Sequence, residues 1–174
     1  SVAYATKIGV DFTSNSWGGG GSSSSLKKAI EEAGKKGIGF IAAAGNHSGN
    51  NDKKPSYPAS YELDNVIAVG AHGNTGTKAS FSCYGKRSVD LFAPGVNTYS
   101  TVPGNKYASF SGTSMATPHV AGAYALIQSK HPDWTCKQIK ETLMNSTDSE
   151  ASLKEKCVTG GRLNVFQALQ AEPA

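Results

Sequence analysis

A continuous apolar segment, Ile38 to Ala44, places the strongest constraint on the fold of this chain. An uninterrupted apolar run of this kind is typical of a β-strand that is buried on both faces. The segment before it, Leu26 to Ala33, repeats apolar side chains at helical spacing, with a serine before it and Gly34 and Gly37 after it. A buried strand that directly follows a helix predicts a chain in which helices alternate with strands.

The alternation continues along the sequence. Strand-like segments are expected at residues 8–14, 66–69 and 89–92, and helical ones at residues 114–130, 135–144 and 165–169. This order predicts the α/β class, with a mostly parallel sheet and helices on both faces. Neither an internal repeat nor a domain boundary interrupts it, so residues 1–174 are expected to belong to one domain.

Composition narrows the function classes. The 174 residues are 38% hydrophobic and 17% charged, as is ordinary for a soluble domain with its own core. The net charge is only +4, and the lysines come in pairs without interleaved aromatic residues, which indicates a solvated surface rather than a nucleic-acid partner. Because no apolar run approaches about 20 residues, no membrane span is expected.

One stretch predicts chemistry, because it combines a glycine turn, a serine and a helix of small residues. Gly112 removes side-chain bulk where a substrate would approach, and Ser114 falls in the first helical turn, where free N–H groups favour developing negative charge. Pro118 has no N–H, so it leaves the carbonyl of Ser114 without its usual helical partner. These features suit a nucleophilic serine in acyl transfer. The whole stretch reads Gly112-Thr113-Ser114-Met115-Ala116-Thr117-Pro118-His119-Val120-Ala121-Gly122.

The nucleophile elbow of the α/β-hydrolases is a rival interpretation. It needs the pattern G-x-S-x-G, followed along the chain by an acid and then a histidine. Ala116 stands where the second glycine belongs, and no histidine follows Asp133. This rival is therefore excluded.

The eleven residues from Gly112 to Gly122 resemble the nucleophile motif of the subtilisin-like serine proteases, the subtilases, almost residue for residue. The resemblance extends over almost the whole chain and implies a partial subtilisin-like fold, with residues 1–174 forming the C-terminal portion of a single catalytic domain. It implies a serine endopeptidase that hydrolyses peptide bonds through an acyl-enzyme on Ser114. Asn46, in the family-like segment Ala43-Ala44-Gly45-Asn46, would donate to the oxyanion beside the backbone N–H of Ser114.

The resemblance also assigns the residues that bind a polypeptide substrate. Ser16, Trp17 and Gly18 would offer their backbone to an extended peptide, which adds as a strand. Trp17 as an ordinary core residue remains the alternative. The pocket for the residue before the scissile bond would be lined by Ala43, Ala44, Gly45 and Ser56. In the segment Tyr57-Pro58-Ala59-Ser60-Tyr61, the resemblance predicts a cis bond before Pro58.

The catalytic aspartate and histidine of the family have no counterpart in this sequence. In the family they precede the serine along the chain. Among the histidines, His119 lies on the same predicted helix as Ser114 and points away from it. The resemblance therefore predicts a complementary N-terminal segment that carries both residues, and an isolated chain that is inactive and poorly stable. Two alternatives are a non-catalytic peptide-binding pseudoprotease and an inert fragment.

The cysteines and the family's cation site lead to further expectations. Cys136 and Cys157 bracket a helical stretch and could close a loop, while Cys83 either pairs outside the chain or remains a buried thiol. The resemblance implies a secreted or secretory-pathway protein. No cofactor is required for the chemistry. The resemblance allows a structural calcium near the carbonyls of Ala59, Tyr61 and Val66, although the lone carboxylate of Asp90 is more typical of a hydrogen-bonding group, and no metal ligand is assigned.

Overall fold

A six-stranded sheet and a separate two-stranded hairpin organise the chain, as seen in a computed structural model that describes residues 1–172. In order, its elements are α1 (Val2–Ile8), β1 (Phe12–Asn15), α2 (Ser24–Lys35), β2 (Gly39–Ala43), β3 (Val66–His72), β4 (Leu91–Pro94), β5 (Thr98–Val102), β6 (Lys106–Phe110), α3 (Thr113–Lys130), α4 (Cys136–Asn145), β7 (Asp148–Ser149), a 3-10 turn (Ala151–Leu153), β8 (Gly161–Arg162) and α5 (Val165–Gln170). The last two residues of the predicted domain, 173 and 174, lie outside the described part.

The sheet has the strand order β1-β2-β3-β4-β8-β7. Strands β1 to β4 and β8 run parallel, and only β7 pairs antiparallel, with β8. Every residue of β2 and β3 is buried, as the apolar run from Ile38 to Ala44 predicts for central strands. The predicted α/β class with a mostly parallel sheet is therefore confirmed.

Helices pack on both faces of this sheet. Alternate residues of β2 point to opposite faces and so contribute to two different cores. Phe40 joins a core formed with Ile30 of α2. Ile41 belongs to the larger core on the other face, where it is clustered with Val120 and Tyr124 of α3. Helix α3 therefore lies against the sheet and delivers its first turn to the carboxyl ends of the central strands.

The sequence predicted one strand with the wrong start and missed a hairpin. The apolar alternation at residues 8–14 predicts one strand, but Ile8 ends α1 and only Phe12 onward is extended. Gly9 closes α1 in the left-handed conformation, at φ 71°, and its N–H donates to Ala5 O. The hairpin β5–β6 was not predicted, since its residues are mostly exposed and do not form an apolar pattern.

The expected disulfide between Cys136 and Cys157 is wrong. All three cysteines are free, buried thiols. Cys136 packs in the large core under α3, whereas Cys157 belongs to a separate cluster with Leu153 and Cys83. Cys83 is 0% exposed, as the buried-thiol alternative predicts. Within residues 1–172, no helix has the length and apolar character that crossing a membrane requires.

Candidate active site

Ser114 lies in the first turn of α3 and is tied to the segment after β1. Its Oγ donates a hydrogen bond to Ser16 O at 3.3 Å. In return, Ser16 Oγ donates to Ser114 O at 2.8 Å. That carbonyl is the one that Pro118 leaves without a helical donor, so the side chain of Ser16 satisfies it. The proline thus creates a connection between the predicted nucleophile and the predicted substrate-binding segment.

Asn46 follows β2, and its amide is held in one orientation. Asn46 Oδ1 accepts hydrogen bonds from Thr113 N at 2.8 Å and from Thr113 Oγ1 at 2.9 Å. With Oδ1 engaged, Nδ2 is left as the donor, and it lies 3.4 Å from the place that a Cβ on Gly112 would occupy. The free amide donor of Asn46 therefore lies beside Gly112, two residues before Ser114.

Thr113 contacts the predicted site residues but was not predicted to belong to the site. It is fully buried, and its Oγ1 accepts from Gly45 N at 3.2 Å while donating to Asn46. One hydroxyl thus fixes both the backbone before Asn46 and the amide of Asn46. Its place between Gly112 and Ser114 in the motif was the available signal, but a pattern of residue types does not show which side chain it orients.

The segment from Ser16 to Gly20 is exposed along one edge and anchored along the other. Gly19 N donates to Tyr57 O at 3.0 Å, and a Cβ on Gly18 would come within 2.9 Å of the same oxygen, so glycine permits this close approach. Trp17 is 45% exposed and contacts Phe40 edge-on, at 6.3 Å between ring centroids. It is therefore a surface residue resting on the core. The predicted cis bond at Tyr57–Pro58 is confirmed.

The predicted pocket residues occupy different environments. Gly45 adjoins Asn46 directly, and Ala43 retains slight exposure. Ala44 is fully buried in a small core with Cys83 and Phe92, and its carbonyl accepts from Asn51 Nδ2 at 2.9 Å. Ser56 is buried too, and its hydrogen bonds with Ser60 close the turn that follows it.

The opposite side of Ser114 opens into a groove between α3 and the β5–β6 hairpin. The groove has a volume of about 520 Å³, and its walls include Tyr99, Phe110, Ser114, Met115, Pro118 and His119. Tyr99 and Phe110 are more than half exposed. His119 Nδ1 bonds Met115 O at 2.8 Å, within its own helix, and so does not approach Ser114 Oγ.

The other three histidines are engaged away from Ser114. His47 covers the thiol of Cys83, with Nδ1 3.3 Å from Sγ. His72 bonds Gly73 O through Nδ1, and burial lowers its pKa. His131 stacks on Trp134, with ring centroids 3.8 Å apart. Among residues 1–172, the hydrogen-bond partner of Ser114 Oγ is a backbone carbonyl and not an imidazole.

Two of the groups expected near a structural calcium face a side-chain cation. Val66 O and the carboxylate of Asp90 both face the ammonium group of Lys140. Tyr61 O already accepts the N–H of Leu63 at 3.0 Å. Within the described residues, no cluster of three or more His, Cys, Asp or Glu side chains is arranged to hold a metal.

Known proteins resemble this chain in sequence. The subtilase family profile, Peptidase S8, matches residues 1–164. This chain belongs to the subtilase family. Subtilisin DY of Bacillus licheniformis is 44% identical over 171 residues, which cover 97% of this chain and 60% of that protein. Subtilisin BL of Lederbergia lenta is 44% identical over 149 residues, or 86% of this chain and 53% of the relative.

A solved protease structure has the same architecture. The prenylagaramide maturation protease PagA superimposes with a TM-score of 0.84 at 28% sequence identity, covering 97% of this chain and 64% of that one. The partial subtilisin-like fold is thereby confirmed. The chain spans 60% or less of the two subtilisins named above.

Proposed function

We propose that this chain is the nucleophile-bearing, C-terminal portion, residues 1–174, of a single serine endopeptidase domain. The observation that carries the proposal is the cluster of Ser16, Asn46, Thr113 and Ser114, in which each side chain fixes the position of another. Membership of the subtilase family supports the same activity.

In the proposed reaction, Ser114 Oγ attacks the carbonyl carbon of a peptide bond and loses its proton to a general base. The negative charge that develops on the carbonyl oxygen is accepted by Asn46 Nδ2 and by the N–H of Ser114, which is among the first helical N–H groups and lacks an intrahelical acceptor. The C–N bond then breaks, the proton passes to the leaving amine, and an ester on Ser114 remains. Water hydrolyses the ester and regenerates the serine.

The substrate is an extended polypeptide that pairs with the backbone of Ser16, Trp17 and Gly18. The exposed edge of this segment supports the proposal, since its other edge is occupied by Tyr57. Ala43, Gly45 and Ser56 would border the residue before the scissile bond, and Ala44 would contribute only its backbone, because its side chain is buried in a core with Cys83 and Phe92. They carry no charge, which favours an uncharged substrate side chain there.

The general base and its aspartate come from a complementary segment outside this chain. The groove beside Ser114 supports this proposal, as do the unpaired outer edge of β1 and the exposed apolar residues Tyr4, Ile8 and Leu126. On this account the isolated chain is catalytically inactive. We also place the protein in a secreted or secretory-pathway compartment, on the strength of its family.

The test combines this chain with a polypeptide made from the portion of subtilisin DY that this chain does not cover. We expect hydrolysis of a fluorogenic peptide only when both parts are present. Ser114→Ala should reduce the rate by about 10⁶-fold, the size known for the nucleophile of subtilisin itself. Ser109→Ala, at an exposed serine of β6, should leave the rate unchanged.

Two outcomes of this test contradict the proposal. The first is a complex of both parts, shown by co-elution, that binds the peptide without cleaving it, as a peptide-binding pseudoprotease would. The second is turnover that persists in Ser114→Ala.

A further inference from the structure

The ammonium group of Lys140 lies in a pocket of oxygen atoms at the amino ends of two central strands. Lys140 extends from α4, and its Nζ donates to the carbonyl oxygen of Val66, the first residue of β3. The same Nζ is 3.5 Å from Oδ1 of Asp90, just before β4. The side chains are only 19% and 14% exposed, so both charges are largely withdrawn from water.

The carboxylate of Asp90 requires a positive charge at this place. Its Oδ2 accepts the N–H of Ala68 at 2.7 Å, which fixes the side chain between β3 and β4. Burial raises the pKa of Asp90, and the charge of Lys140 opposes that effect. A buried carboxylate that loses its counter-charge is strongly destabilised. The site is therefore built around a cation.

The surroundings of this ion pair would otherwise suit a hard metal ion. A cavity of about 300 Å³ adjoins it, lined by Tyr61, Glu62, Asp64, Ser88, Asp90 and Lys140 among others. Carbonyl and carboxylate oxygens are the ligands that calcium prefers. Here, however, the fixed positive charge of Lys140 holds two of these oxygens, and it would repel a metal ion brought within a few ångströms.

We propose that the Lys140 ammonium is the resident cation of this site and takes the place of a bound metal ion. The junction of β3, β4 and α4 therefore needs no calcium or potassium at this site. Removal of the ammonium would convert the pocket into a binding site for a hard cation, with Val66 O and the Asp90 carboxylate as its first ligands.

Lys140→Met tests this proposal in the purified protein that contains the chain. Equilibrium dialysis with radioactive Ca²⁺ should show one more bound equivalent in Lys140→Met than in the wild type. In a chelator, the variant should unfold at a temperature lower by roughly 10 °C, because Asp90 has lost its partner, and millimolar Ca²⁺ should restore much of that loss. Binding of Ca²⁺ at this site should not change the unfolding temperature of the wild type.

The matched control is Lys137→Met. Lys137 lies on the same helix, and its Nζ is 3.8 Å from Oδ2 of Asp64, but its side chain is 60% exposed. Its replacement removes the same charge, and we expect neither an additional bound Ca²⁺ nor a large loss of stability. The double variant Lys140→Met with Asp90→Asn should lose the additional equivalent, because the ligand carboxylate is gone.

Three results would overturn the proposal. One is equal Ca²⁺ binding by the wild type and Lys140→Met. Another is an additional equivalent that survives Asp90→Asn, which would place the ion elsewhere. The third is a Lys140→Met protein that stays unfolded both with and without Ca²⁺, whereas folding that depends on Ca²⁺ would support the resident-cation role.

Discussion

The two sides of Ser114 differ in how completely this chain builds them. On one side, Thr113 donates to Asn46 and Ser16 exchanges hydrogen bonds with Ser114, at 2.8–3.3 Å, and Asn46 Nδ2 is left as a free donor. On the other side there is a groove of about 520 Å³, and His119 in its wall bonds the carbonyl of Met115 in its own helix. Under the proposed function, substrate binding and charge stabilisation would reside in this chain, and a complementary segment would supply proton transfer across the groove.

The sheet shows the same contrast at its two edges. The edge at β7 is a strand of two residues, held through the pairing of Asp148 with Arg162. Short edge strands of this kind are a common way to prevent further pairing. The edge at β1 is twice as long and parallel, and it is free along its outer side. A neighbouring strand could therefore add at β1 but not at β7.

Apart from loss of the nucleophile itself, the largest expected effect comes from damaging the side of Ser114 that this chain completes. Asn46→Leu removes the free amide donor at nearly constant volume, so the developing oxyanion loses one of its two hydrogen bonds. We expect kcat of the complemented enzyme to fall by about 10²–10³-fold, the size known for the oxyanion asparagine of subtilisin. Steady-state kinetics on a fluorogenic peptide measures this change. An unchanged kcat would remove Asn46 from the account.

A change on the open side should affect assembly rather than chemistry. Asp11 O accepts from Gly39 N, and in a parallel ladder alternate residues face the same neighbour, so the N–H of Ser14 points away from β2. Ser14→Pro removes that outward donor. We expect it to weaken binding of the complementary polypeptide by about 10–100-fold, by the loss of a strand hydrogen bond and the added ring.

Binding is measured by titration of a labelled complementary polypeptide. Thr13→Pro is the control for backbone damage. The N–H of Thr13 faces β2, so this variant should lower the stability of the chain itself. If Ser14→Pro binds as tightly as the wild type, no strand adds at β1.

Thr113→Val tests whether Thr113 acts by positioning the amide of Asn46. The variant keeps the shape of the side chain but loses the hydroxyl that bonds Asn46 Oδ1 and Gly45 N. We expect kcat to fall about tenfold with little change in KM. The less restricted amide of Asn46 would bind the oxyanion more weakly, and the oxyanion is present only in the transition state. A rise in KM at constant kcat would instead assign Thr113 to substrate binding.

The smallest effect concerns the loop that follows Asn46. Burial tends to raise the pKa of Asp52, but hydrogen bonds from the Ser88 side chain and from the backbone of Arg87 and Ser88 outweigh it and hold the pKa below its usual value. A lowered pKa in the folded state means that Asp52 adds stability above about pH 4, and that this contribution is lost as the pH falls through the folded pKa.

Asp52→Asn should therefore destabilise the chain at neutral pH by less than about 1 kcal/mol, since the group is partly exposed, and the difference should vanish in acid. Urea midpoints across pH measure it. Asp133→Asn, at an exposed aspartate without a side-chain hydrogen bond among the described contacts, should show no such trend. A difference in stability between the wild type and Asp52→Asn that grows toward acid would contradict a lowered pKa of Asp52 in the folded state.

The sequence predicted the parts of the fold that rest on local apolar patterns. The buried run from Ile38 to Ala44 became β2, and the serine-capped pattern from Leu26 became α2, with Ser23 accepting the N–H of Leu26. The hairpin β5–β6 was missed because its stability depends on cross-strand contacts such as the stacked Tyr99 and Tyr107. Pairings between distant residues leave no periodic signal.

The candidate site divides in the same way. Ser114 and Asn46 could be chosen from their motifs, whereas the bonds that Thr113 makes are contacts across 67 and 68 residues. Similarly, Lys140 looks like an ordinary helical lysine in the sequence. Its link to Val66 crosses 74 residues and exists only in the folded chain.

The most direct test of the central claim is intact-mass spectrometry after treatment with a fluorophosphonate, which labels an activated serine. The chain alone should gain no mass. The chain co-eluting with the complementary portion of subtilisin DY should gain one probe mass, and Ser114→Ala should prevent it. Equal labelling of the isolated chain, or no labelling of a verified complex, would contradict the account that Ser114 is a nucleophile activated from across the groove.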